Sequence, residues 1–487
     1  MLNLKNEFIF RKYLNELMYN QNNTDICHLQ DIIDKHDYKY LLKPVLDITR
    51  KYPHETLVTW RAKLFNQSGL KEILDIFVNR TQITPGVILD FGTFKSRDTV
   101  FCGLSQEYNL KNGVLVRDEK PIENDTIFDL ASSSKPFTAI SILKLFEDGS
   151  LDVFDPITKY VPEFTKLNNV TIYDLLKFRI KIVTDKRVDS AKSKEEAERI
   201  LFTVYPAQNQ EFDNAYTDMG AMVLKYVVER VSKVPFTEFV SENILKKANM
   251  TDTYLNVPEE KRYRVANENF STIVDKDGNA FTRYDNVPGT PHDTKALAMG
   301  ELEGNAPGHA GYFSTKDDMV KFAKALMEGK IISKNGVLSM SKTETGYQKC
   351  DDKFTRFYGS LVYLKQPDPE FLSVYPPLSG KSFMSPGFAG TQLVVDPINE
   401  VSLFVGSPRL HNRIYQIHPD QEKNVKINEY NKRTYTLPNG EEKIVCNNYT
   451  KAKEVLVKLA LDLTLQYQLL EKMYPTKREM HLVRELN

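Results

Sequence analysis

The sequence predicts an α/β (α+β) fold, an antiparallel sheet flanked by helices with an inserted all-helical lobe. Three observations predict it: strand-like runs near both ends of the chain, a long mostly helical stretch between them, and one helix apolar on nearly every face. The first strands are Val87-Ile88-Leu89, after the turn signal Thr84-Pro85-Gly86, and Thr99 to Leu104, which pairs with it as a hairpin. The pattern returns after residue 380 with Gln392-Leu393-Val394-Val395 and Val401-Ser402-Leu403-Phe404-Val405. One sheet is therefore assembled from distant segments, with the helical block of about 150–330 forming a lobe that leaves a cleft beside it.

The other segments follow in order. Residues 1–66 read as an N-terminal helical extension, with apolar residues at three- and four-residue spacings, and Leu70 to Val78 continues as an amphipathic helix. Phe137, Ala139, Ile140, Ile142, Leu143, Leu145 and Phe146 make the all-round apolar helix, which belongs at the centre of a domain, and Asp148-Gly149 ends it. Met219 to Val231 keeps a helical period. Residues 411–450 read as a polar insertion with a hairpin turn at Leu437-Pro438-Asn439-Gly440, and 451–487 as a C-terminal helix packing on the sheet. The remainder, 67–410, is the principal domain.

Composition limits the function. Lys plus Arg equals Asp plus Glu at 65 each, so no global field steers a polyanion, and nucleic acid is not an expected partner. No apolar run is long enough to span a bilayer. The first thirty residues are broken by charges and show no apolar core of a signal peptide, and the four cysteines form no C-x-x-C pair. Both features point to the cytoplasm and to reduced thiols. The expected partner is a small-molecule or peptide substrate; nothing bears on oligomeric state.

Three short segments carry the chemistry. In Ser132-Ser133-Ser134-Lys135, opening the apolar helix, serine and lysine lie one turn apart on one face. A serine hydroxyl needs a neighbouring base, and lysine serves only when neutral. Burial and the positive end of the helix both disfavour its ammonium form. Tyr216-Thr217-Asp218 opens the next long helix. Its phenol, eased toward ionisation beside a lysine, is the second proton carrier; Asp218 lines the site or caps the helix. In Ser385-Pro386-Gly387-Phe388-Ala389-Gly390-Thr391 the glycines allow close approach to substrate, and Pro386 implies an edge strand or a strand that begins here. The amides of Ser132 and Phe388 are the oxyanion donors, with Ser385 and Gly387 beside them. His292 and His309 lack the spacing of a metal site and read as hydrogen-bonded structural histidines; His411 and His418 read as solvated.

The order Ser-x-x-Lys, Tyr-x-Asp, x-x-Gly before a strand resembles the class C β-lactamase and penicillin-binding-protein superfamily over about residues 70–410. Pro291-His292-Asp293, Gly308 to Thr315 with Asp317-Asp318, and Arg409-Leu410-His411 are similar to its esterase-like branch. The resemblance implies a β-lactamase/transpeptidase-like fold. It also implies a serine hydrolase acting on an ester or amide through an acyl-enzyme on Ser132, with Lys135 and Tyr216 catalytic and neither metal nor cofactor. The alternatives are a D,D-peptidase, D-aminopeptidase or β-lactamase, and a catalytically degenerate binding protein. Two departures alter the site wall. Ser385 stands where the family commonly has a basic residue, and Lys177-Phe178-Arg179-Ile180 follows Leu175-Leu176 where relatives carry His-Thr-Ser-Gly.

Overall fold

A computed structural model describes residues 67–208, 216–343, 345, 357–364 and 378–473. The expected helices of residues 1–66 lie outside these. Helices and largely antiparallel sheets alternate through two compact units.

The first unit draws on residues up to 123, 267–285 and 407 onward. Strands Gly86–Thr93, Arg97–Lys111 and Val114–Pro121 form an antiparallel meander in which Val87 faces Cys102 and Leu89 faces Val100. Helices Gln67–Asp75 and Tyr449–Met473 pack on the meander, burying Leu70, Leu74, Val455, Leu456 and Ala460. A second, six-stranded sheet joins 426–427, 433–436, 442–445, 413–417, 272–274 and 280–282 around Val274, Ile414, Tyr435 and Val445. The Leu437–Gly440 turn connects its central hairpin, with Thr434 opposite Ile444.

His411 in this unit is not solvated, as its polar neighbours led us to expect. It is fully buried; Nε2 accepts the amides of Glu107 (2.9 Å) and Tyr108 (3.1 Å), and Nδ1 donates to the Asn269 carbonyl at 3.1 Å. Beside it the buried Arg413 grips Glu107 through both terminal nitrogens, at 2.6 and 3.0 Å. His418 is partly exposed and caps the turn Pro419–Asn424.

The second unit comprises 124–266 and 286–406. Strands Tyr363–Leu364, Phe383–Pro386, Gln392–Asp396 and Val401–Gly406 lie antiparallel in that order. Helix Lys316–Met327 packs on the last of them. Helix Lys135–Glu147 is buried over almost its whole surface and packs against helix Asp218–Ser232. It ends as expected, Gly149 adopting φ +71° while Ser150 N–H returns to the Leu145 carbonyl at 2.9 Å. The described residues of 150–266 are mainly short helices, with a strand pair at 182–183 and 205–206.

Candidate active site

The nucleophile turn is held from behind. Strand Phe128–Asp129 pairs with Phe313–Ser314, and the Leu130 amide donates to the Tyr312 carbonyl. The chain then turns sharply at Ala131, whose φ of +44° is costly for a residue with a side chain. The buried Asp129 carboxylate holds that conformation, accepting the Ala131 amide at 2.8 Å with one oxygen and the His292 amide at 2.8 Å with the other. Ser132 follows in the short 3₁₀ turn Ala131–Ser134, in which the Ser133 amide donates to the Leu130 carbonyl at 2.8 Å.

Lys135, the first α-helical residue, is 1% exposed. Its Nζ donates to Ser132 Oγ (2.8 Å), Asp218 Oδ1 (2.7 Å) and the His309 carbonyl (3.2 Å). Three acceptors around one nitrogen are the environment of an ammonium. The expected neutral amine is thus met by a carboxylate that sequence spacing did not place there. Asp218 is not the helix cap; Thr217 is, its hydroxyl accepting the Met219 amide at 3.2 Å.

The other oxygen of Asp218 meets Lys295 at 3.1 Å, and Lys295 also lies 3.7 Å from Asp293. Asp293 caps helix Thr294–Ala298 through the Ala296 amide and binds His309 Nε2 at 3.0 Å. His309 is fully buried, and its Nδ1 has no hydrogen-bond partner. Burial pushes the Asp218 carboxyl up, but Lys135, His309 and Lys295 outweigh it and hold Asp218 well below the usual carboxylate range. Asp293 is likewise held low by His309 and Lys295 against its burial. Against its own burial, Lys295 is raised by the two carboxylates.

Tyr216 lies beside the pair: Lys135 Nζ is 4.9 Å from its ring centre, and Ser132 is near enough to act on its phenol. The expected easing of its proton is reversed. Burial, and then the Asp218 charge, push the phenol well above 10, so it is a proton donor at neutral pH. Its ring stacks on Phe178 (5.0 Å, 28°) and leans on Tyr363 and Tyr358. Phe178 holds φ +51°, and Lys177 beside it is buried, donating to the Ser339 and Lys342 carbonyls. The unusual segment after Leu176 therefore forms the support behind Tyr216.

The third segment differs from the expected edge strand. Gln392–Asp396 is interior, between Phe383–Pro386 and Val401–Gly406, and Pro386 is the last residue of its own strand, where a missing N–H breaks no ladder. Ser133 Oγ donates to the Ser385 carbonyl (2.8 Å), Ser385 Oγ to the Ser132 carbonyl (3.3 Å) and Thr391 Oγ1 to the Leu130 carbonyl (3.0 Å). A Cβ on Gly387 would lie 2.4 Å from the Leu130 carbonyl oxygen and 2.0 Å from Thr391 Oγ1, so only glycine fits. The Gly387 amide is engaged by the Thr391 carbonyl, and Phe388 is half-exposed with its ring 6.0 Å from that of His292.

Asp218, Asp293 and His309 bring possible ligand atoms within 4.8 Å of one another. Two lysine ammonium groups already sit on those carboxylates and would repel a cation. Sequence reasoning missed Lys295 as a member of the site. Its only trace was its place two residues beyond the Pro291-His292-Asp293 segment.

The model of the family described as Beta-lactamase matches residues 106–431, more than half the chain. The protein belongs to the β-lactamase family. A candidate D-alanyl-D-alanine carboxypeptidase of Escherichia coli K12 is 24% identical over 67% of this chain and 78% of its own. An N-acetylmuramyl-L-alanine amidase of Bacillus subtilis is 23% identical over 66% and 76%. The crystal structure of a D-amino acid amidase from Ochrobactrum anthropi SV3 matches the fold with a TM-score of 0.54, 18% identity and coverage of 81% and 97%. This β-lactamase-family chain is thereby a hydrolase of the β-lactamase and penicillin-binding-protein type. Among its described residues no helix is long and apolar enough to cross a membrane.

Proposed function

We propose that the protein hydrolyses an ester or amide through an acyl-enzyme on Ser132. The observation that carries this reading is the buried Lys135 Nζ 2.8 Å from Ser132 Oγ, with the Tyr216 ring centre 4.9 Å from the same nitrogen. In the active form Lys135 has lost one proton. Its amine takes the Ser132 proton as Oγ bonds to the substrate carbonyl, whose π pair moves to oxygen. The amides of Ser132 and Phe388 hold that oxyanion. Tyr216 protonates the leaving group as its bond breaks, and the Lys135 ammonium restores the phenol proton. Water then repeats the sequence on the ester.

Ser385, which carries no charge, acts here by fixing the nucleophile turn rather than by holding a substrate carboxylate. The relatives named for amide cleavage favour an amide whose acyl side is a D-amino acid or small peptide. The test is turnover of p-nitrophenyl acetate and of D-alanine amides, with intact mass after brief exposure to each. One acyl mass increment that disappears in Ser132→Ala supports the reading, and equal turnover by that variant refutes it.

A further inference from the structure

The site contains a second, half-buried cation that the reaction above does not use. Asp218 is bridged: Oδ1 takes Lys135 at 2.7 Å and Oδ2 takes Lys295 at 3.1 Å. Lys295 comes from a different helix and is 23% exposed, whereas Lys135 is sealed at 1%. One carboxylate thus divides its attraction between two ammonium groups that repel each other through it. An unshared carboxylate would bind the Lys135 proton more firmly, which suits a salt bridge and defeats a base.

Among the described residues the groups that face this pair are themselves paired. Lys135 is faced by Ser132 on its own turn, Tyr216 and Asp218 from the helix across, and the ring and carbonyl of His309. Lys295 is faced by Asp293 on its own helix, by Asp218, and by Asp189, which is already paired to Arg187 at 2.6 Å. Further along the helix that carries Asp218, Lys225 is paired to Glu229 at 3.2 Å.

We propose that Lys295 is a positioning residue that, by holding the outer oxygen of Asp218, sets the pH at which Lys135 gives up its proton. This rests on the acyl-enzyme reading above and adds to it a group that touches neither substrate nor nucleophile. Removing the charge at 295 leaves Asp218 to Lys135 alone. The ammonium is then stabilised, its proton leaves at higher pH, and the rising acid limb of the rate profile moves up. Above that limb the machinery is intact and the rate recovers.

The experiment is the pH dependence of kcat and kcat/KM on p-nitrophenyl acetate for the full chain, Lys295→Met, Lys295→Gln and Lys295→Arg. The two neutral variants are expected to move the acid limb up by about one to two pH units and keep the high-pH plateau within about threefold. The arginine variant is expected to return the limb to its original place. A limb that stays put while the rate falls uniformly would assign Lys295 a purely structural role and overturn the proposal, as would failure of both neutral variants to fold. These results are separable from failure of the parent reading. If Ser132→Ala is inactive and the limb does not move, only the role of Lys295 falls; if Ser132→Ala is active, the acyl-enzyme itself falls.

Discussion

Two buried histidines, each beside an ion pair, show how a structural network differs from a reactive one. His411 uses both ring nitrogens, and its neighbour Arg413 is 1% exposed with its charge on a bidentate carboxylate. Arg413 is satisfied on every side, by Glu107 and by the carbonyls of Gln82, His411 and Asn412, and the cluster locks a strand to its neighbours. Around His309 one ring nitrogen is unpartnered, one carboxylate serves two ammonium groups, and Asp218, Asp293 and Lys295 each keep about a fifth of their side-chain surface exposed. Protons can be rearranged in such a set without leaving a bare charge in a dry interior. Burial alone does not separate the two clusters; the unpartnered ring nitrogen and the carboxylate shared by two cations do.

Experiments can break that contrast. The largest expected effect is Ser132→Ala, which should lower kcat by about 10³-fold or more while the melting temperature changes little. A collapse of the fold instead would make the second cluster structural like the first. Next is Tyr216→Phe, which keeps the stacked ring and removes the transferable proton. Steady-state kinetics should show a loss of roughly 10²–10³ in kcat with KM nearly unchanged.

In the first cluster Arg413→Met should cost about 3–5 kcal/mol in denaturant unfolding, because Glu107 is left unpaired, with no direct effect on chemistry. The smallest effect concerns pH. Burial lowers His411 to about 3 from 6.5, and its Nε2 is already an acceptor for two amides. The folded state therefore excludes a proton that the unfolded chain binds. The stability this contributes is fully present above pH 6.5 and is lost as pH falls from there toward 3. Unfolding at pH 6 and pH 4 should show a slope of about 1.4 kcal/mol per pH unit that His411→Gln removes.

Much of this was readable from the residues. The strand runs, the all-round apolar helix with its glycine stop, and the serine–lysine pair each follow from periodicity or from spacing within a turn, and Tyr216 was legible through the order of motifs that the family resemblance supplies. What stayed hidden depends on contacts between distant segments. Lys295 and Asp218 are 77 residues apart in number but 3.1 Å apart in space, and no local pattern links them. His411 was misjudged because polar neighbours in sequence say nothing about Glu107 and Asn269 closing over it. The phenol of Tyr216 was misjudged for a related reason. A nearby lysine was visible, but the aromatic packing and the Asp218 charge that outweigh it were not. Asp218 was open to reading as a cap because aspartate suits that position, and the sequence could not tell it from the adjacent Thr217, which takes the place.

The hydroxyls of Ser133, Ser385 and Thr391 fasten the nucleophile turn to the strand and loop beside it as one rigid plate. Variation on that side would disturb the nucleophile itself. The opposite wall is built from the packed rings of Tyr216, Phe178, Tyr358 and Tyr363. Tyr358 is 1% exposed and packs on both Tyr216 and Phe178, so a smaller residue there would open a void behind the phenol and loosen its hold beside the nucleophile.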